Sequence, residues 1–387
     1  MRITHVITRL IIGGAQENTL SSVLGLRQKP GLEVKLVSGP ATGPEGSLES
    51  LDPELILVPH LVRPVHPVKD LLALRELERH FRRTKPDIVH THSGKAGVLG
   101  RMAAARAGVR VIVHTIHGPS FGPFQGALPN FIFRAAERRA ARVTTQFVSV
   151  ADAMTDQYLA AGIGRREQYT KIFSGFNLAP YLTGQNDPAF RAKLRIAADD
   201  IVIGTIARLF KLKGHDDLIA VAPEIARRNP RVKFLFVGDG EWRERFETRV
   251  RALGLEKQIV FAGLIPPDEV PRYVGIMDAL VHLSVREGLP RALPQALAAG
   301  KPVIAYDCDG AKEVCIDNET GFLLQPGDLN GLIERVSRLA NDAQLRERLG
   351  RAGREFVRVR FSVEQMVEQL HSLYLKLASD GEKRQHG

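Results

Sequence analysis

Two cations and one carboxylate dominate the chemistry that this sequence offers. Arg208 and Lys213 stand in the run ARLFKLKG at 207–214, after a strand-like apolar segment at 201–207. Cations at a strand end, just ahead of a helix N-terminus, make a cradle for a diphosphate. A solvated basic loop is the alternative, and the placement favours the cradle. Glu287 follows a second such segment, at 279–284. Pro294 is tolerated only in the first turn of a helix, so a helix is expected to start near Leu293. Gly288 and Leu289 then open a loop whose N–H groups can hold phosphate. Glu287 would face whatever the phosphates are attached to, and Gln295, in the first turn, would face the same site.

Other candidates are weaker. Gly13 and Gly14, between a first strand and a helix, let a backbone approach a ligand closely. The run is not G-x-G-x-x-G, and no acidic residue is placed to read a ribose, so a dehydrogenase is disfavoured. A plain strand-to-helix turn fits Gly13 and Gly14 as well. His114 and His117 are three apart, so an extended strand points them to opposite faces. His90 and His92 share a face but lack an evident third ligand. His117, beside Gly118 at a strand end, is the histidine placed to reach a site. The other three read as core or loop histidines. Cys308 and Cys315 match no metal or redox spacing and read as structural thiols.

Short β-branched runs alternate with helical patterns along the chain. The first half carries strand-like runs at 3–8, 34–38, 55–59, 88–92, 109–117, 144–150 and 169–173, with helices such as 70–85, 94–107 and 128–141. After a polar, turn-rich stretch at 180–188 the pattern restarts, with runs at 201–207, 232–237, 259–262, 279–284, 302–306 and 321–324. The runs are continuously apolar, as in parallel strands covered on both faces. The expected fold is therefore α/β, with two Rossmann-like doubly wound parallel-sheet domains and ligands beyond the strands' carboxyl ends. The stretch at 180–188 reads as a linker, giving domains at 1–183 and 184–360. Helices at 343–360 and 362–379 end the pattern, and the polar tail after Ser379 is expected to fray.

No run approaches the ~18 apolar residues of a membrane helix, and no cleavable leader is evident at the start. The expectation is a cytoplasmic protein, with peripheral attachment to the inner face of the membrane as a further option. Residues 1–185 carry 23 Lys+Arg against 14 Asp+Glu, a net of +9, whereas residues 186–387 carry 31 against 29, a net of +2. A basic first half suits an anionic partner such as a membrane surface, a phospholipid-linked acceptor or nucleic acid; a solvated basic surface explains it equally.

At these residues the chain resembles glycosyltransferase family 4, the retaining enzymes of the GT-B architecture, over nearly its whole length. The resemblance rests on Gly13-Gly14-Ala15, DIVHTHSGKAGVLGR at 87–101, HTIHG at 114–118, ARLFKLKG at 207–214 and VGDG at 237–240. Its most specific piece is EGLPRALPQALAAGKPVIA at 287–305, followed by Gly310, Glu313 and GFLL at 321–324. The resemblance implies two domains facing across a cleft, with a last helix at 361–387 returning to the first. It also implies a nucleotide-sugar donor, a glycan or lipid-linked acceptor, no nucleic acid, no cofactor and no metal. Arg208 and Lys213 would bind the donor diphosphate and stabilise the leaving nucleotide. Glu287 would hydrogen-bond the donor sugar near the reacting carbon, His117 would contact that sugar, and Gly14 would lie against donor or acceptor. The leaving phosphate would take the acceptor's proton on the front face.

Three positions depart from the family. The family pairs glutamates eight positions apart, and here Glu287 is followed by Gln295. Gln still accepts a hydrogen bond, without charge assistance, at a cost on the order of 1 kcal/mol in ribose recognition. The usual Asn-Gly-x-Asp turn is Ser174-Gly175-Phe176-Asn177, and Gln16 replaces a Glu. A nucleotide-sugar 2-epimerase of the same architecture and a non-catalytic sugar-nucleotide-binding homologue are the alternatives.

Overall fold

The computed structural model describes residues 1–43, 46–122 and 124–383. They form two compact units, Met1–Phe176 with Val363 onward, and Asn177–Ser362. The N-terminal unit runs β1 (Arg2–Ile7), α1 (Gly14–Arg27), β2 (Glu33–Ser38), β3 (Ile56–Leu57), α2 (Pro67–Thr84), β4 (Ile88–His92), α3 (Gly94–Arg106), β5 (Val111–Ile116), α4 (Ala127–Ala141), β6 (Gln146–Ser149), α5 (Asp152–Ala160) and β7 (Tyr169–Lys171). The C-terminal unit runs α6 (Ala179–Leu182), α7 (Pro188–Lys193), β8 (Ile201–Ile206), α8 (His215–Arg228), β9 (Val232–Val237), α9 (Arg243–Ala252), β10 (Ile259–Gly263), α10 (Val270–Gly275), β11 (Ala279–His282), α11 (Ala292–Ala298), β12 (Val303–Tyr306), β13 (Gly321–Leu324), α12 (Leu329–Asn341) and α13 (Ala343–Arg360). Helix α14 (Val363–Lys383) then returns to the N-terminal unit and packs on α1 and β5.

Both sheets are parallel, with orders β3-β2-β1-β4-β5-β6-β7 and β10-β9-β8-β11-β12-β13. Strand order reverses beside β1 in one and beside β8 in the other. Such switch points open a crevice outside the strands' carboxyl ends. The apolar runs explain why the sheets are covered twice. In the N-terminal unit Ile3, Ile7, Val111 and Val113 pack with α1 and with Met366, Leu370 and Tyr374 of α14. Val6, Val89 and Ile112, on the opposite face, pack with Leu77, Phe81, Ala96 and Ala103 of α2 and α3. The C-terminal core gathers Ile203, Phe234, Phe236, Val281 and Ile304 with Leu218, Ile225 and Val336.

One sequence expectation is corrected here. Residues 180–188 do not divide the two units, which part between Phe176 and Asn177; the stretch joins α6 to α7 within the C-terminal unit. Pro180 sits in the first turn of α6, and the Asp187 carboxylate caps α7, accepting from Ala189 N at 3.0 Å and Phe190 N at 3.1 Å. Proline and aspartate serve turns and helix starts alike, and here the helix start prevails. The tail after Ser379 was expected to fray, yet α14 continues to Lys383; residues 384–387 lie outside the described ones.

Candidate active site

The C-terminal unit assembles its site from the ends of β8, β11 and β12. The turn after β8 is held against β11 by Gly214, whose φ is +76° and whose added Cβ would lie 2.2 Å from Leu283 O. Only glycine fits there. Leu212, two residues earlier, has a φ of 72°, a costly conformation for a branched side chain. Val285 N donates to Leu212 O at 3.0 Å, tying the two loops together.

This turn delivers the Lys213 ammonium to the Glu287 carboxylate, with which it forms an ion pair. Ser284 Oγ lies 3.5 Å from Lys213 Nζ and bridges toward Leu212 O and Arg286 O at 3.1 and 3.0 Å. His282 Nε2 lies 3.5 Å from Glu287 Oε1. Behind the loop, Glu287 N donates to Asp309 Oδ2 at 2.7 Å and Gly310 N donates to Gly288 O at 3.0 Å. Asp309 itself has a φ of 51°, so a second strained residue flanks the pair. Burial alone would push the Glu287 carboxyl up, but Lys213, then His282, overcome it and hold it down at about 2. Glu287 is a carboxylate at any physiological pH.

Arg208, at the end of β8, is exposed, with its guanidinium 5.4 Å above the Phe210 ring. It makes no ion pair among the described residues. The structure thus brings Lys213 and Glu287 together and leaves Arg208 open to an anion. Gly288 is buried and Leu289 half-buried. Gln295 is 8% exposed in the first turns of α11, which starts at Ala292, one residue ahead of the expected position.

Gly14, in the N-terminal unit, is exposed at the first residue of α1. His117 is half-buried just past β5. Its Nε2 is 3.1 Å from His92 Nδ1, and His92 Nε2 is 2.9 Å from His5 Nδ1. His114 faces the other side of the sheet, where it meets Thr91 Oγ1 at 2.9 Å. The histidines called core residues from sequence are therefore buried, and His5 joins them because β1 pairs in register with β4, His5 against His90. Nothing in local sequence pattern marks His5, since only the strand order brings it there. The same is true of Asp309, which reaches Glu287 from the end of β12, whereas His282 and Ser284 precede Glu287 in its own segment.

His5, His90 and His92 lie close enough to hold an ion, with one nitrogen from each within 4.8 Å of the others. The rings of His90 and His92, however, stack, 4.4 Å apart at 25°, and His5 Nδ1 is already engaged by His92 Nε2 at 2.9 Å. Stacked imidazoles direct their in-plane lone pairs alongside each other, not toward one point. Their nitrogens serve hydrogen bonds instead.

Among solved structures, the fold is similar to that of Anabaena HepE in complex with UDP-glucose, with a TM-score of 0.81 at 23% identity over 97% of this chain and 100% of the other. The class is thus the GT-B fold: two doubly wound domains, with a helix from the end of the chain returning to the first. Residues 186–356 match the family of glycosyl transferases group 1, and residues 13–172 match the glycosyl transferase 4-like domain. The chain is 30% identical to the 2-deoxystreptamine glucosyltransferase of Streptomyces kanamyceticus, over 75% of this chain and 78% of that one. It is 26% identical to the UDP-Gal:alpha-D-GlcNAc-diphosphoundecaprenol alpha-1,3-galactosyltransferase of Escherichia coli, over 97% of each. The chain belongs to the group 1, family 4 glycosyltransferases and is an enzyme of that kind. These relatives favour glycosyl transfer over the epimerase and the non-catalytic alternatives.

Proposed function

We propose that this enzyme transfers a hexose from a nucleotide-diphosphate sugar to a glycan or lipid-linked acceptor with retention at the anomeric carbon. The observation that carries the reading is the Lys213–Glu287 pair beside the free Arg208 at the ends of β8 and β11. Donor diphosphate would draw the Lys213 ammonium off Glu287 and be held jointly by Lys213 and Arg208. Glu287 would then be free to accept from a sugar hydroxyl. Charge developing on the leaving diphosphate is met by two side-chain cations, the work that a metal does elsewhere. The leaving phosphate oxygen takes the acceptor's proton on the same face, and the buried Gln295 amide accepts from ribose. The names of two relatives, one using UDP-Gal and the other bound to UDP-glucose, make uridine diphosphate sugars the first donors to try.

A thermal-shift series with UDP-, GDP-, ADP- and dTDP-sugars tests the donor. A ligand at a hundred times its Kd stabilises by about 2.7 kcal/mol, a rise of roughly 5–11 °C for a unit of this size. A flat melting point across all four would defeat the reading.

The acceptor side points to a membrane. Helix α4 is anchored inward by the buried Glu137 carboxylate, 2.5 Å from the Arg101 guanidinium. Outward it presents Leu128, Phe131 and Ile132, which are 69%, 67% and 52% exposed, and its C-terminal end exposes Arg139 and Arg142. No helix among the described residues is long and apolar enough to cross a membrane. We read α4 as lying on an anionic lipid surface, where apolar side chains enter the headgroup layer and each nearby cation adds about 1 kcal/mol. Sedimentation with phosphatidylglycerol vesicles at low salt should carry the protein down, phosphatidylcholine vesicles should not, and Phe131→Asp should abolish the difference. Equal sedimentation with both lipids would remove the membrane from the proposal.

A further inference from the structure

One face of the N-terminal sheet carries an unbroken chain of hydrogen bonds. Thr115 Oγ1 meets His90 Nε2 at 2.6 Å, and His90 Nδ1 meets the Tyr374 hydroxyl of α14. That hydroxyl is 3.3 Å from His5 Nε2, His5 Nδ1 is 2.9 Å from His92 Nε2, and His92 Nδ1 is 3.1 Å from His117 Nε2. All members except His117 are buried. Burial, chiefly, lowers the proton affinity of His5, His90, His92 and His117, so the rings are neutral.

A neutral imidazole has one N–H and one bare nitrogen, so each link dictates the next. If the Tyr374 oxygen accepted from both His90 and His5, its own buried proton would have no partner; with that excluded, only two arrangements satisfy every link. In one, protons point from Thr115 through His90, Tyr374, His5 and His92 to His117, whose Nε2 accepts and whose Nδ1 carries the proton. In the other every bond is reversed, and His117 is protonated at Nε2. The two differ at the far end. Thr115 Oγ1 has no other hydrogen-bond partner, side chain or backbone, among the described residues, so reversal strands its hydroxyl proton in the core, where an unmade hydrogen bond is costly.

We propose that this chain is a positioning device: Thr115, His90, Tyr374, His5 and His92 hold His117 as its Nδ1–H tautomer, so that it presents a donor, not an acceptor, to a substrate oxygen. The inference rests on the contact between His117 and the donor sugar that the family resemblance implies, and it adds what that contact must be. A sugar oxygen facing His117 is then recognised as an acceptor. The direction is set by the Thr115 hydroxyl, two residues before His117 near the end of β5, reached by a path through two other strands and the last helix.

Heteronuclear NMR of the full chain, labelled at the histidine ring nitrogens, reads the tautomer directly, with His117→Gln identifying the signal. Wild type should show His117 protonated at Nδ1 at neutral pH. Thr115→Val, which keeps shape and removes the hydroxyl, should lower that population and reduce kcat/KM about tenfold, the loss typical of removing an orienting partner behind a working histidine. Thr115→Ser should restore both. Tyr374→Phe breaks the chain at its middle while keeping the ring, and should produce the same change at His117 should the valine variant fold poorly. A wild-type His117 protonated at Nε2, or a His117 signal unchanged in both variants, would overturn the proposal. Full turnover by His117→Ala would instead remove the sugar contact and leave the tautomer result standing, so the two readings fail separately.

Discussion

Lys213→Ala is expected to lower kcat by about a thousandfold, roughly 4 kcal/mol of transition-state stabilisation, while the melting temperature falls only modestly. The two halves of this result have different causes. Leaving diphosphate gathers negative charge only as the glycosidic bond breaks, so a preorganised cation acts on the transition state more than on the bound donor. Stability should fall much less, because the Lys213 and Glu287 side chains retain 18% and 22% of their exposure, so water partly replaces the lost ammonium, and His282 still faces the carboxylate. Glu287→Gln should be similarly inactive, since it keeps the shape and loses the charge that answers Lys213. Steady-state kinetics with a matched acceptor, alongside calorimetry, check both halves. Turnover within tenfold of wild type in both variants would dismiss the proposed site.

Acid should unfold the N-terminal unit before the C-terminal one. His5, His90, His92 and His114 are buried and kept neutral, His5 with its value down at about 3. In the unfolded chain each titrates near 6.5. Below about pH 6.5 the unfolded chain therefore binds protons that the folded unit refuses, so stability is full above that pH and falls as pH drops toward the folded values. Each such group contributes up to about 1.4 kcal/mol per pH unit, and four acting together approach a domain's whole stability within one or two units. The C-terminal unit holds one comparable group, His215, lowered to about 4 by burial first and by His282 and Lys213 next. Its Glu287 resists acid until far lower, near 2. Trp242 is the only tryptophan and lies in the C-terminal unit, so its fluorescence reports that unit alone. Helical signal in circular dichroism should fall between pH 6 and 5 while tryptophan emission holds; coincident transitions would contradict this account.

Much of this architecture was legible from residues alone. Unbroken apolar runs such as VKFLFV in β9 announce a strand buried on both faces, and their alternation with helices gives the doubly wound units. Lys213 and Glu287 were legible because strand ends are where such folds place ligands. The pairing between them was not, since it depends on a strained Leu212 and on β8 lying beside β11, which is strand order and not local pattern. The histidine chain was hidden for the same reason: four of its members sit on three strands, and Tyr374 arrives from the other end of the sequence. The stretch at 180–188 misled because proline and aspartate mark helix starts and loops with the same letters.

Helix α14 has a consequence for how the protein is made. Met366, Leu370 and Tyr374 complete the core of a unit whose other residues end at Phe176. All of the C-terminal unit is synthesised in between. A nascent chain therefore carries its first sheet with one flank uncovered for the whole time that residues 177–362 emerge, a span of roughly ten to forty seconds at common elongation rates. Through that interval the apolar flank is available to chaperones and to wrong partners, and His5 and His90 have no tyrosine between them. The enzyme acquires its oriented His117 only after translation has passed residue 374.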